Sequence, residues 1–203
     1  KNKNWRAFAA RNYSSSSMRP YTVINYTNDA TAPTITGVSG NPTKWAKSAT
    51  LSINGAKDNS GGVGLHSTAY SFSTEKGKYS WQSSNKKTFS AKCTVYMAVR
   101  DARNNIYNIP TAEKITKIDN TAPTFKVETT PTGWTKNKVN ISILEAKDTE
   151  SGLNSKPYSI STAKNTFSYS VESKKAVSKN GVYYVTVSDS LGNVKTVSVN
   201  ITN

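Results

Sequence analysis

The chain has 203 residues, of which 27 are basic and 12 acidic, so its formal net charge at pH 7 is +15. This length suits two small domains, each able to bury a modest core. Apolar residues make up 35% of the chain and are scattered along it. No stretch approaches the roughly 20 consecutive apolar residues of a membrane-spanning helix, so membrane insertion is not expected.

The basic residues are mostly lysines, and they are spread over the whole chain. Lysines dispersed on exposed strand faces usually serve solubility and edge protection, which is the favoured interpretation. Attraction to a polyanion such as a wall polymer or an acidic glycan is the second. Nucleic-acid binding is not expected, because no helix-turn-helix, RNA-binding or zinc motif accompanies the charge.

Cysteine and histidine each occur once. The lone Cys93 excludes an intrachain disulfide and is interpreted as a small, partly buried side chain. The single histidine, His66, is distant from Cys93 in the sequence, so no nearby base is expected to activate the thiol. No Cys/His spacing typical of a metal site occurs. Residues 1–4 lack the apolar core of a signal peptide, so a secreted parent would have been trimmed, or the chain is an internal fragment.

Taken in order, the chain opens with residues 1–28, which resemble the end of a repeat. The sequence there predicts a turn, a strand, a loop that contains the four serines at 14–17, and a second strand, which is also the order at the end of the two longer repeats. We interpret 1–28 as the closing hairpin of a truncated upstream repeat, with an ordinary N-terminal extension as the alternative.

Two longer repeats follow. The first repeat, 29–118, opens with Asp-Ala-Thr-Ala-Pro, and the second repeat, 119–203, opens with Asp-Asn-Thr-Ala-Pro. Apolar and polar residues alternate with period two, which predicts strands separated by turns. The predicted strands of the first repeat are 34–38, 49–53, 69–72, 79–81, 94–99 and 113–118. Those of the second are 124–127, 139–143, 158–160, 167–169, 182–187 and 194–199. Short strands at this spacing predict an all-β fold of two antiparallel β-sandwiches.

A shared series of motifs runs through both repeats: Asp-x-Thr-Ala-Pro, Trp, Asp-x-x-Ser-Gly-Leu, Tyr-Ser and Val-x-Asp-x-x-Gly-Asn. In the second repeat these are 119–123, Trp134, 148–153, 158–159 and 187–193. The first repeat has Asn104 in place of Gly192 and two extra residues in its Asp58 loop. The series resembles tandem bacterial Ig-like repeats of Gram-positive surface and cell-wall-associated proteins. The resemblance implies an extracellular stalk or adhesion module, with neighbouring repeats, wall polymer, glycan or host protein as partners.

No motif indicates catalysis. The chain has no Gly-x-Ser-x-Gly elbow, and the glycines at 61–64 are not followed by the Gly-Lys-Ser/Thr of a phosphate loop. His66 has no carboxylate pair to act with, and we interpret it as an exposed loop or strand residue. A non-enzymatic role without a resident cofactor is therefore predicted.

All six aspartates of the chain fall on three repeated positions. In an Ig-type sandwich these positions meet at one pole, where an asparagine four residues past the last aspartate would join them. The predicted clusters are Asp29, Asp58, Asp101 and Asn105 in the first repeat, and Asp119, Asp148, Asp189 and Asn193 in the second.

Two mechanisms would hold such a cluster. Each aspartate would accept backbone N–H bonds and pin its own turn, which is the favoured mechanism, or the carboxylates would bind calcium. Lys57, Lys147 and Arg100 each precede a cluster aspartate and offer a way to balance charge without a metal.

The Thr-Ala-Pro segment at 121–123 predicts a short, stiff passage between the repeats, since proline fixes its own φ and extends the preceding residue. Trp45 and Trp134 hold equivalent positions, which favours a shared packing role. The alternative is that tryptophans and tyrosines, among them Tyr96 and Tyr184, form a binding surface for a sugar or a protein.

Overall fold

A computed structural model describes residues 28–202. Fourteen β-strands and no helix occur among them, so the predicted all-β class is confirmed. The strands are β1 (Gly37–Ser39), β2 (Ala49–Asn54), β3 (Leu65–Ser73), β4 (Trp81–Gln82), β5 (Lys86–Phe89), β6 (Cys93–Asp101), β7 (Ile106–Asn108), β8 (Glu113–Ile115), β9 (Thr124–Thr130), β10 (Val139–Lys147), β11 (Leu153–Ser161), β12 (Lys174–Val177), β13 (Gly181–Asp189) and β14 (Val194–Ile201).

The strands form four sheets. Two lie in the first half of the chain, with the orders β1-β2-β5 and β4-β3-β6-β7, and β8 also pairs with β6. Two lie in the second half, with the orders β12-β10-β9 and β11-β13-β14. Wherever a register is defined between two of these strands, the pairing is antiparallel.

The described residues divide into two compact units. The first unit comprises 28–40, Thr50–Lys87 and Thr94–Lys114. The second unit comprises Asn41–Ala49, Thr88–Cys93 and 115–202. Two short segments of the first repeat, 41–49 and 88–93, therefore belong to the second unit. The repeat boundary at 118/119 stays a prediction.

The first unit buries apolar side chains from its longest strands. Phe72 on β3, Val95 and Val99 on β6, and Leu51 on β2 are all fully buried. Three further side chains, Ile53, Met97 and Ala98, are also buried. The strand predicted at 94–99 is thus confirmed as part of β6, and its alternate residues Val95, Met97 and Val99 lie in the core.

The core of the second unit draws side chains from both of its sheets. Val139, Ile141 and Ile143 come from β10, every second residue, as alternation along a strand requires. The opposite contribution comes from β11, β13 and β14 and consists of Ile160, Tyr183, Val185, Val187 and Ile201. Alternating residues of two sheets therefore build one shared core.

Several predicted strands differ from the observed ones. Residues 167–169 form no strand: Phe167 and Tyr169 stack on each other at 5.6 Å between ring centroids, and only Ser170 forms an isolated bridge, to Tyr158. Strands β5, β7 and β12 were not predicted from the sequence. Both β5 and β12 begin with two lysines, and apolar periodicity therefore does not reveal them. The predicted hairpin at 1–28 lies outside the described residues, apart from Asn28.

In the described part of the chain, no helix has the length and apolarity needed to cross a bilayer.

Candidate functional site

Each repeat brings its three aspartates together. We call Asp29, Asp58 and Asp101 the first aspartate cluster, and Asp119, Asp148 and Asp189 the second aspartate cluster. In each, one carboxylate oxygen from every member lies within 4.8 Å of the others. The first cluster lies in the first unit and the second in the second unit.

Strand pairing explains why these distant residues meet in the second cluster. Thr124 pairs with Lys147, which places Asp119 beside the loop that begins at Asp148. Leu153, at the end of that loop, pairs with Asp189. The corresponding pairs of the first cluster are Thr34 with Lys57 and Leu65 with Asp101. Both clusters are thus positioned by backbone ladders on two sides.

The second cluster is held by backbone N–H donors. Asp119 accepts from Thr121 at 2.9 Å and from Ser151 at 3.0 Å. Asp148 accepts from Glu150 at 3.0 Å and from Gly152 at 2.8 Å. Each aspartate therefore fixes its own turn, and the Asp119–Ser151 bond ties two segments that are far apart in sequence.

Backbone N–H donors also hold the first cluster, although the longer Asp58 loop supplies them from different positions. Asp29 accepts from the backbone N–H groups of Thr31 and Val63, both at 3.1 Å. Asp58 accepts from Asn59 at 2.9 Å and from Gly64 at 2.7 Å. A side chain at Gly62 would collide with this cluster, since a Cβ built there lies 2.5 Å from Asp58 Oδ2 and 2.8 Å from Asp29 Oδ2.

The predicted asparagines complete both clusters. Asn193 donates its side-chain N–H groups to Asp189 Oδ2 at 2.6 Å and to the Asp119 carbonyl at 3.2 Å. Asn105 makes the same two bonds, to Asp101 Oδ2 at 2.6 Å and to the Asp29 carbonyl at 3.0 Å. Each asparagine thereby links the last loop of its repeat to the opening aspartate.

The last loop adopts one conformation in both repeats. Asp189 Oδ1 accepts from the N–H groups of Leu191 and Asn193, and Asp101 Oδ1 accepts in the same way from Arg103 and Asn105. Gly192 has a φ of 79°, and Asn104 at the equivalent position has a φ of 64°. Asparagine is among the few residues that tolerate this left-handed conformation, so the replacement of Gly192 by Asn104 leaves the turn intact.

The cations expected to balance the clusters do not do so. Within the described residues, no ion pair includes a cluster aspartate. Arg100 instead donates to the carbonyl of Thr68 at 3.1 Å and to its hydroxyl at 2.6 Å, and its guanidinium lies 4.4 Å from the Trp81 ring. These carboxylates are therefore surrounded by N–H donors and not by a neighbouring cation.

Hydrogen bonding also governs the acidity of Asp119. Burial raises the pKa of this carboxyl, but the bonds from Ser151 and Thr121 lower it by more, so the net shift is downward. The fold therefore favours the charged form of Asp119 over its protonated form more strongly than water does. Burial likewise raises the pKa of the Cys93 thiol, which favours its unreactive protonated form.

Carboxylate oxygens are the donors that calcium prefers, and it takes six to eight oxygens. In the first cluster, however, all six carboxylate oxygens already accept an N–H bond. In the second cluster the exception is Asp148 Oδ2. These donors fit the hydrogen-bond mechanism, and calcium binding stays the alternative.

The aromatic residues divide between two environments. Trp45 is half-buried beneath the amines of Lys92 and Lys117, which lie 5.1 and 4.6 Å from its ring centroid. Trp134, predicted to share its packing role, is 88% exposed, so the equivalence in sequence is not an equivalence in packing. Tyr96 and Tyr184, candidates for a binding surface, are half-buried.

Sequence reasoning missed a set of contacts inside the second unit. Asn120 donates its side-chain N–H groups to the carbonyl of Lys47 at 3.0 Å and to that of Ser90 at 2.8 Å. Lys92 forms an ion pair with Glu150. One signal was present in the sequence: the first repeat has Ala30 where the second has Asn120, a difference within an otherwise matching motif.

Comparison of the chain with protein-family models, with curated proteins and with solved structures finds no match.

Proposed function

We propose that this chain is a non-catalytic structural part of a bacterial surface or secreted protein. In this proposal, two tandem Ig-like β-sandwich repeats form a semi-rigid stalk that presents other parts of the protein. The motif series that resembles bacterial Ig-like repeats supports the setting. The core of the second unit supports the sandwich type, since it is built by alternating residues of two three-stranded sheets.

The observation that carries the proposal is the composition of the second unit. Segments 41–49 and 88–93 of the first repeat belong to the same compact unit as residues 115–202. Within that unit, Ala46 forms a parallel bridge with Ile118. The Ala46 N–H donates to the Lys117 carbonyl, and the Asp119 N–H donates to the Ala46 carbonyl, both at 3.0 Å. A free linker would not make these two hydrogen bonds, one of which is donated by the opening aspartate of the second repeat.

Side chains reinforce this backbone pairing on two sides. Asn120 bridges the Lys47 and Ser90 carbonyls, and therefore reaches both first-repeat segments of the unit. Lys92 pairs with Glu150 while its amine lies over Trp45. Backbone pairing, amide bridging and the ion pair all restrict the passage at 117–120, and a restricted passage is what a stalk requires.

The environment of the titratable groups supports a non-catalytic role. Each cluster aspartate accepts backbone N–H bonds, as a turn-stabilising residue does. His66 Nδ1 accepts from the Thr68 N–H at 3.0 Å. Hydrogen bonds of this kind stabilise turns and strands, and they support a structural use of these groups.

A mutation at Asn120 tests the stiff passage. Replacing it by alanine removes two hydrogen bonds, each worth about 0.5–1.5 kcal/mol, so exchange of the Ala46 and Asp119 amide protons should accelerate about 5- to 160-fold. Asn200, which is exposed on β14, provides the matched control, since Asn200→Ala should leave these two amides unchanged. Small-angle scattering of the unaltered chain should fit one fixed arrangement.

Equal exchange in both variants, or scattering that only a broad ensemble can fit, would overturn the stalk proposal.

The surface location has its own test. Brief protease treatment of intact source cells should release fragments of this chain, and their recovery only after lysis would refute an extracellular location.

One observation favours the alternative of an adhesin or carbohydrate-binding module. In the first unit, Tyr79 stacks on Trp81 at 5.1 Å and is 42% exposed. Tyr79 and Lys76 line a surface pocket of about 370 Å³, within the usual size range of ligand sites. Aromatic rings beside a lysine suit an anionic glycan. A glycan array and a wall-polymer pull-down test this directly, and binding that Tyr79→Ala abolishes would favour the alternative.

A further inference from the structure

The surface around Trp45 shows how the passage from the first repeat into the second is held. Three kinds of group are used there: the backbone N–H and C=O of Ala46, the carbonyls of Lys47 and Ser90, and the indole of Trp45. Their partners are the backbone at 117–119, the Asn120 amide and the amines of Lys92 and Lys117.

The second repeat presents the same groups. Trp134, Thr135 and Lys136 are the counterparts of residues 45–47, because both segments precede the second strand of their repeat. Ser178 is the counterpart of Ser90, since each serine directly follows a short lysine-led strand, β12 or β5. We call these four residues the Trp134 surface.

The Trp134 surface has no partner among the described residues. Trp134 is 88% exposed. The backbone N–H and C=O of Thr135 and the carbonyls of Lys136 and Ser178 form no hydrogen bond there; the Thr135 hydroxyl alone accepts one, from Asn137. The exposed indole and the solvent-facing backbone groups beside it are therefore available to a partner, as the corresponding groups around Trp45 are to residues 117–120.

We propose that the Trp134 surface binds a further repeat of the same type through an opening Asp-Asn-Thr-Ala-Pro segment. The backbone before the incoming aspartate pairs in parallel with Thr135. The incoming asparagine amide donates to the Lys136 and Ser178 carbonyls, and the indole of Trp134 is covered. The inference rests on the proposed stalk function and extends it, because it makes the stalk extendable by repeats that carry this asparagine.

The choice of occupant follows from the pattern of unpaired groups. A sugar ring would cover the indole but would leave the Thr135 backbone without a strand partner. An extended segment with an asparagine after the aspartate satisfies the backbone groups, as residues 117–120 do around Ala46, and it also lies beside the indole, as Lys117 does at Trp45. A repeat that opens with Asp-Ala, as at Asp29-Ala30, lacks the bridging amide and should bind more weakly.

The test extends the full chain. A second copy of residues 118–203 is added after Asn203, so that the added aspartate follows the buried Ile201 at the spacing by which Asp119 follows the buried Ile115. In the added copy, Trp134→Phe gives the peptides that span positions 134 and 135 a different mass from those of the original copy. Hydrogen exchange then reports the Thr135 amide of the original copy. Acrylamide quenching reports the exposure of Trp134 in that copy. Its signal is the difference between the extended chain and the same chain with Trp134→Phe in the original copy.

We expect exchange of the Thr135 amide to slow by about tenfold or more in the extended chain, and quenching of Trp134 to fall. A matched extension in which the added copy carries Asn120→Ala should lose most of this protection while it folds with the same circular dichroism.

Unchanged exchange and quenching in the extended chain would overturn the inference. If Asn120→Ala in the unextended chain still accelerates exchange of Ala46 and Asp119, the stalk proposal survives that failure. If it does not, both proposals fail together. Protection that is equal with Asp-Asn and Asp-Ala openings would also overturn the inference, because it would show binding without the amide bridge.

Discussion

Replacing Asn193 by alanine should destabilise the second unit markedly, although Asn193 is neither in the core nor charged. Its side chain donates to Asp189 Oδ2 at 2.6 Å and to the Asp119 carbonyl at 3.2 Å. A hydrogen bond to a charged group contributes about 1.5–3 kcal/mol, and one to a neutral carbonyl about 0.5–1.5 kcal/mol. The expected loss in the free energy of unfolding is therefore about 2–4 kcal/mol.

Urea denaturation measures this loss. In a background of Trp5→Phe and Trp81→Phe, the fluorescence of Trp45 and Trp134 reports the second unit. With an m-value of about 2 kcal/mol per molar urea, the midpoint should fall by about 1–2 M. The exposed Asn200→Ala should change the free energy of unfolding by less than about 0.5 kcal/mol.

The first cluster provides an internal repetition of the experiment. Asn105 makes the same two bonds, at 2.6 and 3.0 Å, so Asn105→Ala should destabilise the first unit by a similar amount. Losses no larger than that of the Asn200 control at both positions would refute the reasoning, since the short bonds to the aspartates would then contribute nothing. Asn193→Asp should be worse than alanine, because it adds a fourth carboxylate to the cluster.

Two further predictions concern the aspartates. If hydrogen bonds hold the clusters, calcium and chelator should give equal melting temperatures; a calcium site at 100 times its dissociation constant would instead add about 2.7 kcal/mol, and calcium would also rescue Asn193→Asp. The pKa of Asp119 is lowered in the fold, so its contribution to stability is complete above the ordinary value of 3.8 and is lost as the pH falls through the lowered value. Urea midpoints between about pH 5 and pH 2 should therefore fall less steeply in Asp119→Asn than in the unaltered chain, and parallel curves would contradict this account.

Much of the aspartate geometry was predictable because it is local or set by strand pairing. A loop aspartate reaches the N–H groups two and four residues ahead wherever the turn permits, and this is what Asp189 and Asp101 do. Their convergence followed from the expected order of strands. The role of Arg100 was not predictable, since its neighbours Thr68 and Trp81 come from other strands and their distance is fixed only in the folded chain.

Aromatic segments were harder to interpret. The alternation at 167–169 has the pattern of a strand, yet Phe167 and Tyr169 stack on each other without a strand partner of their own. Conversely, β12 begins with Lys174 and Lys175, and the Lys175 amine donates to the Ile160 carbonyl at 2.8 Å. Periodicity reports burial, so it detects a strand only where one face of the strand is apolar.

The sequence by itself determined the all-β class, the positions of the long strands and the three repeated aspartate positions, because alternation and turn chemistry act over a few residues. Only the tertiary structure decided how exposed Trp45 and Trp134 are to solvent. The two tryptophans have the same local sequence position, but Lys92 and Lys117 cover the first, while the second remains 88% exposed. Whether a side chain is covered depends on which distant segment lies against it, and a local pattern carries no record of that segment.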